Sequence, residues 1–399
     1  MNHVVRSVGR VLTAPRFDAP PPLSLYVHVP WCTRKCPYCD FNSHESRGAI
    51  PEQDYLAALI ADLEQDLPSV WGRTIESIFI GGGTPSLLSP TIIERLLSAL
   101  RALLPLRPDL EITLEANPGT VDRACLTELR AAGIGRLSIG VQSLSDTLLT
   151  RIGRIHDARA AYDAAEGAAS AGFASWNIDM MYGLPGQSAG DALADLRAAI
   201  ALGAPHLSHY QLTIEPNTAF YREPPRRADD ETLWEMQLRC QEALADAGYA
   251  HYEISAYAKP LAECRHNLNY WRFGDYLGIG AGAHAKITVA AENAIHRIAK
   301  VRHPRDYLER AGSAARIAER RTLDTAELGL EFMMNALRLN DGFERRLFQE
   351  RTGLPLAAFE KQFARAEELG LLERDHTHIR PSAHGQRYLD DLLLLFMPD

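Results

Sequence analysis

Segments typical of β-strands alternate with segments typical of amphipathic helices along the first half of this chain. Six strand candidates, rich in β-branched and aromatic residues, occur at 25–29, 75–80, 110–115, 136–141, 176–181 and 206–214. Helix candidates between them include 53–66, 91–103, 122–132 and 191–202. This alternation predicts an α/β fold with a parallel sheet wound with helices. Six such units predict a partial (β/α)6 barrel, smaller than the eight-stranded type.

The alternation weakens after about residue 216, and the sequence divides into four segments. Residues 1–22 are proline-rich and predicted to be irregular, and 23–225 form the partial barrel. Residues 226–316 are expected to complete the barrel, with a long helix at 229–247 and a strand at 252–257. Residues 317–399 are predicted to form a small C-terminal helical domain whose stretch 354–373 resembles a helix–turn–helix or winged-helix unit. In this domain, covering the barrel or docking a partner is favoured over reading DNA.

Three cysteines follow the first strand candidate in a C-x3-C-x2-C pattern: Cys32, Cys36 and Cys39. Three thiolates this close cannot complete a tetrahedral zinc site alone. They can hold three irons of a four-iron cluster and leave the fourth iron open. A cluster is therefore favoured, and zinc is the alternative if His44 or a remote cysteine supplies a fourth ligand. Three unligated cysteines are a further alternative, whereas a disulfide framework does not suit a large chain without a secretory signal.

The later strand candidates also end in glycine or polar residues. Gly82, Gly83 and Thr84 follow the second strand, and Glu115 ends the third. Gln142 follows the fourth strand and Asp179 lies on the fifth. Because the carboxyl ends of parallel strands meet at one rim, these residues are expected to surround the cysteine loop and form a binding site.

Charge and hydropathy exclude two classes of partner. The net charge of −9 over 399 residues argues against a nucleic-acid partner, which would require a basic face. No apolar run is long enough to span a bilayer, although peripheral contact with a membrane is left open. Six cysteines, three of them clustered, suit a reducing cytoplasm, which is the predicted location.

Six motifs in order across residues 25–215 identify a family resemblance. They are YVHVPWCTRKCPYCDF, FIGGGTPSLL, LEANPGT, LSIGVQSL, IGRIHD and NIDMMYGLPGQ. This combination resembles the radical S-adenosylmethionine (SAM) superfamily, in the branch that contains oxygen-independent coproporphyrinogen III oxidase and its relatives.

The resemblance implies two cofactors and the residues that hold them. Cys32, Cys36 and Cys39 would ligate a [4Fe–4S] cluster, whose open iron would chelate the amino and carboxylate groups of SAM. Gly82, Gly83 and Thr84 would hold the methionine end of SAM. The positions that match residues lining the cofactor region in the family are Tyr26, Tyr38, Glu115, Gln142, Arg154 and Asp179. Cleavage of the bound SAM would require an electron donor as a partner.

A later segment, HNLNYW, resembles the heme chaperone branch of the same family, the HemW type, in which an HNxxY motif is associated with heme binding. The resemblance implies that His266, Asn267 and Tyr270 bind heme. The imidazole of His266 can ligate heme iron, and Tyr270 lies one turn further on if the segment is helical. On the motif alone, a histidine of this kind is more often an interface or surface residue than a ligand.

Three functions remain open at the sequence level. The preferred one is a heme chaperone that binds a cluster, SAM and heme and delivers heme to heme-accepting proteins. The alternative is the oxidase, but Phe41 stands where the oxidase motif has a fourth cysteine, and the oxidase carries a longer ordered N-terminal segment. The third is a zinc-stabilised binding protein. No catalytic residue is assigned, and whether the chain is an enzyme is left undecided.

Overall fold

One large mixed sheet forms the frame of the protein in the computed structural model, which describes residues 14–398. The strands among these residues are β1 Leu23–Val29, β2 Trp31–Cys32, β3 His44–Glu45, β4 Ile75–Gly82, β5 Leu106–Ala116, β6 Arg136–Gln142, β7 Ser175–Tyr182, β8 His206–Gln211, β9 Ala250–Glu253, β10 Ala256–Ala258, β11 Asp275–Ile279, β12 His284–Val289, β13 Ala294–Lys300, β14 Ile317–Thr322, β15 Phe343–Glu344, β16 Leu372–Arg374 and β17 His378–Pro381.

The α-helices connect and cover these strands. They are α1 Glu52–Val70, α2 Pro90–Leu103, α3 Arg123–Ala132, α4 Asp146–Arg151, α5 Ala158–Ser170, α6 Ala189–Ala201, α7 Ala219–Arg222, α8 Asp230–Asp246, α9 Arg265–Trp271, α10 Pro304–Arg310, α11 Thr325–Ala336, α12 Arg345–Thr352, α13 Glu360–Glu368, α14 Ala383–Arg387 and α15 Leu389–Leu394. Several begin with a side chain that caps free backbone N–H groups, such as Ser188, which forms a capping box with Asp191 at α6.

The large sheet has the strand order β14-β13-β12-β11-β1-β4-β5-β6-β7-β8-β10-β9. Its middle is parallel from β11 to β8, and the strands at both ends pair antiparallel. All six predicted strands lie in this parallel part in the predicted order, each joined to the next through at least one helix. The predicted α/β architecture of six strand–helix units is therefore confirmed.

Alternating side chains on β1 illustrate how the sheet separates its core from its site. Leu25 and Val27 are fully buried in the main hydrophobic cluster beneath the helices. Tyr26 and His28 point to the opposite face because successive strand residues alternate. The inner face of the parallel strands is therefore free to carry polar and aromatic groups.

The C-terminal residues form most of a second hydrophobic core, which includes Phe332, Phe348 and Phe363. Helices α12 and α13 are followed by β16 and β17, and β17 also pairs with β15 in a three-stranded sheet. The winged-helix resemblance of the stretch 354–373 stays a prediction. β14, the first element after residue 316, pairs with β13 in the large sheet, so the helical part begins at α11.

The predicted N-terminal segment 1–22 lies partly outside the described residues. The described part, 14–22, contains neither helix nor strand, and Phe17 packs into the C-terminal core. The strand predicted at 252–257 was wrong, because β9 and β10 fold back on each other around a turn at Ile254 and Ser255. Among residues 14–398, no helix combines the length and the apolar character needed to cross a membrane.

Candidate cofactor site

Two adjoining cavities open on the inner face of the sheet, and every predicted site residue lines at least one of them. The first, of about 460 Å³, contains Cys32, Cys36, Tyr38, Cys39, Gly82, Gly83, Thr84, Glu115, Gln142, Arg154, Asp179 and Asn267. The second, of about 1010 Å³, contains Tyr26, Gly82, Glu115, His266, Asn267 and Tyr270. Both volumes lie in or near the range of small-molecule and cofactor sites. Gly82, Glu115 and Asn267 therefore form part of a shared wall.

The cysteine loop leaves the carboxyl end of β1 and brings three free thiols to the first cavity. The hydroxyl of Thr84 donates to Sγ of Cys32 at 3.5 Å, and Nη1 of Arg154 donates to Sγ of Cys36 at 3.6 Å. Burial raises the pKa of Cys32 and of Cys39, so metal binding there would displace a proton from each of these thiols. The loop thus supplies three sulfur donors to one cavity, the donor set of an iron–sulfur cluster with one open iron.

The glycine run after β4 allows its backbone to approach the cysteine loop closely. A Cβ atom on Gly83 would lie 2.5 Å from the carbonyl oxygen of Trp31 and 3.1 Å from Sγ of Cys32. Gly82 has φ +118° and donates its N–H to Oε2 of Glu115 at 3.0 Å. Only glycine fits this approach without a shift of the loop, so the run allows close packing of β4 against the cysteine loop.

Two carboxyl groups, on Glu115 and Asp179, face the first cavity from β5 and β7. Burial, and next the negative charge of Asp179, raise the pKa of Glu115 to about 8. Asp179 accepts from Nδ2 of Asn177 at 2.7 Å and from the hydroxyl of Ser138 at 3.1 Å, and burial raises its pKa also. Burial removes water from both carboxyl groups. A ligand with a cationic or hydroxyl group could donate hydrogen bonds to them in its place.

Arg154 and Gln142 complete the rim of the first cavity. Nη2 of Arg154 donates to Oδ1 of Asn117 and to the carbonyl of Gly140, both at 2.6 Å. The Nε atom of Arg154 is buried and has no hydrogen-bond partner among residues 14–398. Gln142 adopts a left-handed backbone (φ 73°), and its Oε1 accepts from the hydroxyl of Tyr210 at 2.8 Å. The rim therefore holds the Arg154 guanidinium in a fixed position next to Cys36, with its Nε–H unpaired within the described residues.

The floor of the second cavity carries His266 on α9, which confirms that the HNLNYW segment is helical. Nδ1 of His266 lies 3.0 Å from Oγ of Ser77, which lies 2.8 Å from Oγ of Ser24. Nδ2 of Asn269 donates to Oγ of Ser24 at 2.8 Å. Nε2 has no hydrogen-bond partner among the described residues, and burial lowers the pKa of His266 to about 3. The imidazole is therefore neutral at physiological pH and keeps one nitrogen available.

Aromatic side chains surround His266 in the second cavity. The ring of Phe79 lies 5.1 Å from that of His266, and Tyr270 packs on Trp271 and Tyr276. Tyr26, which the sequence assigned to the SAM region, lines this cavity, and its hydroxyl lies 3.0 Å from Nδ1 of His28. These rings give the cavity an apolar wall suited to a flat ligand.

The zinc alternative required a fourth ligand for the cysteines. Nε2 of His44 is buried and has no hydrogen-bond partner in the described range 14–398, and the His44 ring packs against His303 at 5.2 Å. Within the described part of the chain, no set of three or more His, Cys, Asp and Glu side chains is placed to hold one metal ion.

Several residues that organise the site were missed by sequence reasoning. Asn117 links Thr84 to Arg154, Asn177 holds Asp179, and Ser77 contacts His266. Asn117 directly follows β5 within the LEANPGT motif, and this position at a strand end could have marked it as a site residue. Ser77 carries no such signal, because its contact lies 189 residues away in sequence.

Comparison with protein families gives two matches. Residues 26–199 match the profile of the Radical SAM superfamily. Residues 323–388 match the HemN C-terminal domain. The first range includes the cysteine loop and the glycine run, and the second includes most of the second hydrophobic core, whereas α9 with His266 lies between the two.

Curated relatives match nearly the whole chain. The chain is 48% identical to "Heme chaperone HemW" of Escherichia coli K12 over 379 residues, 95% of this chain and 99% of the relative. It is 45% identical to the Haemophilus influenzae protein of the same name, over 95% of this chain and 99% of that protein. It is 36% identical to "Heme chaperone HemW" of Mycobacterium tuberculosis H37Rv over 84% of each chain.

Among solved structures, the chain is similar to coproporphyrinogen III oxidase (HemN) from Escherichia coli, a radical SAM enzyme. The TM-score is 0.80 at 23% identity, over 94% of this chain and 90% of the other. At this identity the likeness shows the fold alone, so it confirms the α/β frame and the attached C-terminal domain.

Proposed function

We propose a function in heme delivery for this chain, which belongs to the heme chaperone HemW family of radical SAM proteins: it binds heme and passes it to heme-accepting proteins. The family brings with it a [4Fe–4S] cluster and SAM. The heme site, its residues and its acceptors are our proposal, together with a cytoplasmic location and an electron donor as a further partner.

The observation that carries the proposal is the position of His266. Its imidazole lies in the floor of a cavity of about 1010 Å³, with Nδ1 beside Ser77 and with no hydrogen-bond partner for Nε2 among residues 14–398. A neutral imidazole whose second nitrogen donates to a neighbouring oxygen is the usual arrangement of a metal-ligating histidine. We therefore assign His266 as the residue that ligates heme iron.

The other two HNxxY residues support the macrocycle in this proposal. Tyr270 lies on the same helix, one turn from His266, and contributes a ring to the cavity wall. Asn267 lines both cavities, so it lies between the heme site and the SAM site. A reversible complex needs such apolar contacts with few fixed bonds, because heme held too tightly could not be handed on.

The first cavity suits the cluster and SAM. Cys32, Cys36 and Cys39 would hold the cluster, and Gly82, Gly83 and Thr84, which line the same cavity, would hold the methionine end of SAM. Tyr38, Gln142, Arg154, Glu115 and Asp179 would orient the rest, with Arg154 facing a carboxylate and Glu115 an ammonium or hydroxyl group. When bound, a reduced cluster with SAM supplies radical chemistry, which the protein shields from water.

The rival function is oxidative decarboxylation of coproporphyrinogen III. Phe41, which stands where the oxidase motif has its fourth cysteine, is 57% exposed and lines both cavities. An exposed phenyl ring at this wall suits contact with a planar ligand better than ligation of metal. We therefore propose that the chain lacks the oxidase activity.

One anaerobic experiment separates the two functions. Reconstituted protein is loaded with heme, mixed with the apo form of a b-type heme protein, and the appearance of the acceptor's heme spectrum is followed. A second portion receives coproporphyrinogen III, SAM and a reductant, and its products are analysed. Heme transfer without decarboxylation supports the proposal. Formation of protoporphyrinogen over several turnovers would replace it with the enzyme function.

A further inference from the structure

The second cavity is lined by four cationic side chains. They are Arg297, Lys300, Arg302 and Arg321. His266 contacts β4, whereas His284 on the opposite wall begins β12, three strands away in the sheet. This separation is roughly 14 Å along the sheet. A ligand whose centre sat at His266 would therefore extend across β1 and β11 toward the end of the cavity that carries His284 and Arg302.

Three of these four cations are already neutralised by carboxylates. Arg297 pairs with Glu331, Lys300 pairs with Asp62 and Asp66, and Arg321 pairs with Glu327 and Glu331. The guanidinium of Arg302 is exposed and has neither an ion-pair nor a hydrogen-bond partner among residues 14–398. Arg302 is thus the one cation of the cavity, within this described part, whose charge is available to a ligand.

The backbone around Arg302 is held in place. Nδ2 of Asn42 donates to the carbonyl oxygen of Arg302 and to that of Ala281, both at 2.9 Å. Asn42 follows Phe41 in the cysteine loop, so the loop fixes the base from which the guanidinium extends. A charged donor on a fixed base loses less freedom on binding than one on a mobile loop.

His284 lies near Arg302 at the same end. Its ring has no hydrogen-bond partner among the described residues. Partial burial, followed by the charges of Arg297 and Arg302, lowers the pKa of His284. Its neutral ring therefore offers an N–H donor beside the guanidinium without a second charge.

We propose that Arg302, with the N–H of His284 as a second donor, binds a propionate carboxylate of the heme whose iron faces His266. This inference rests on the proposed heme-binding function and adds the orientation of the heme in its cavity. The guanidinium of Arg302 provides the charge, and its planar donors match a carboxylate. Heme then lies across β1 and β11 with its apolar faces against the aromatic wall and its carboxylates at the open end.

The test compares heme with heme dimethyl ester, whose esterified propionates carry no charge. Both are titrated into anaerobically reconstituted wild-type protein, Arg302→Ala and Arg302→Lys. The matched control is Arg305→Ala, which removes an exposed arginine that pairs with Glu309. Arg302→Ala should bind heme at least about tenfold more weakly, the loss expected for a charge-assisted hydrogen bond. It should bind the diester as the wild type does, with the same Soret position. Arg302→Lys should lose less, and Arg305→Ala should lose nothing.

Three outcomes overturn the inference. Arg302→Ala that retains wild-type affinity for heme removes Arg302 from the site. Equal losses for heme and diester assign the effect to altered folding rather than to the carboxylate. Wild-type protein that binds neither ligand overturns the heme-binding function as well, whereas retained diester binding keeps that function intact.

Discussion

Oγ of Ser77 lies 3.0 Å from Nδ1 of His266, although the two residues are 189 positions apart in the chain. Ser77 lies on the inner face of β4, and α9 brings His266 onto it. Because Ser24 and Asn269 continue the hydrogen-bond chain, the proton on His266 is coupled to the orientation of two hydroxyl groups. Iron binding at Nε2 would select the state in which Nδ1–H donates to Ser77.

Replacement of Ser77 by alanine should weaken heme binding about two- to tenfold, because the hydrogen bond that orients His266, the proposed iron ligand, is lost. The donation from Nδ1 also strengthens the Nε2–iron bond, so the iron–histidine stretching frequency of ferrous heme should fall. Heme titration and resonance Raman spectroscopy measure the two effects. Ser98→Ala, an exposed substitution on α2, serves as the control. Identical spectra for wild type and Ser77→Ala would disconnect this serine from the heme ligand.

Heme binding through His266 should be nearly constant between pH 5.5 and 8. Burial lowers the pKa of His266 to about 3, so its imidazole stays neutral and able to bind iron across this window. An exposed histidine with a pKa near 6.5 would become protonated as the pH falls through that value and lose the iron. Titrations at several pH values, with the iron–histidine signal monitored, distinguish the two cases. A loss of ligation centred near pH 6.5 would contradict the assigned ligand.

The frame of the fold could be predicted because its signals are local. Each of the six parallel strands is a short apolar or β-branched run, and the three cysteines lie within eight residues. Contacts made through the sheet could not be predicted, such as Ser77 with His266. The place of Tyr26 in the second cavity could not be predicted either, because it depends on the position of α9 as well as on alternation along β1. The prediction of one strand at 252–257 was wrong because the residues on both sides of the two-residue turn suit a strand, so the turn between them gave no signal.

Only the three clustered cysteines should be required for the iron–sulfur cluster. Alanine at Cys32, Cys36 or Cys39 should abolish the visible charge-transfer absorption and most of the bound iron and sulfide. Alanine at Cys125 or Cys240 should leave them unchanged, because these thiols lie on α3 and α8, away from the first cavity. Cys264 lines that cavity but donates toward Glu111, so we expect it also to be dispensable. A cluster that survives Cys36→Ala and disappears in Cys125→Ala would refute the ligand set.

Gly83→Ala should impair SAM binding strongly. Its Cβ atom would meet the carbonyl of Trp31 at 2.5 Å, so the cysteine loop must shift, at a cost of about 1–3 kcal/mol. Gly48→Ala is the matched control, because a Cβ atom there meets nothing within 4 Å. Calorimetric titration with SAM, together with iron analysis, separates loss of SAM from loss of the cluster. Equal SAM affinity in both variants would move the SAM site away from the glycine run.

The central claim is that His266 ligates heme, and the most direct measurement is a heme titration of His266→Ala followed at the Soret band. The control is His376→Ala, an exposed histidine in the β16–β17 hairpin. The account predicts that His266→Ala loses the iron–histidine signature and at least about tenfold in affinity, with the iron–sulfur cluster retained. It predicts that His376→Ala matches the wild type. A His266→Ala protein with the wild-type Soret band and affinity would contradict the account.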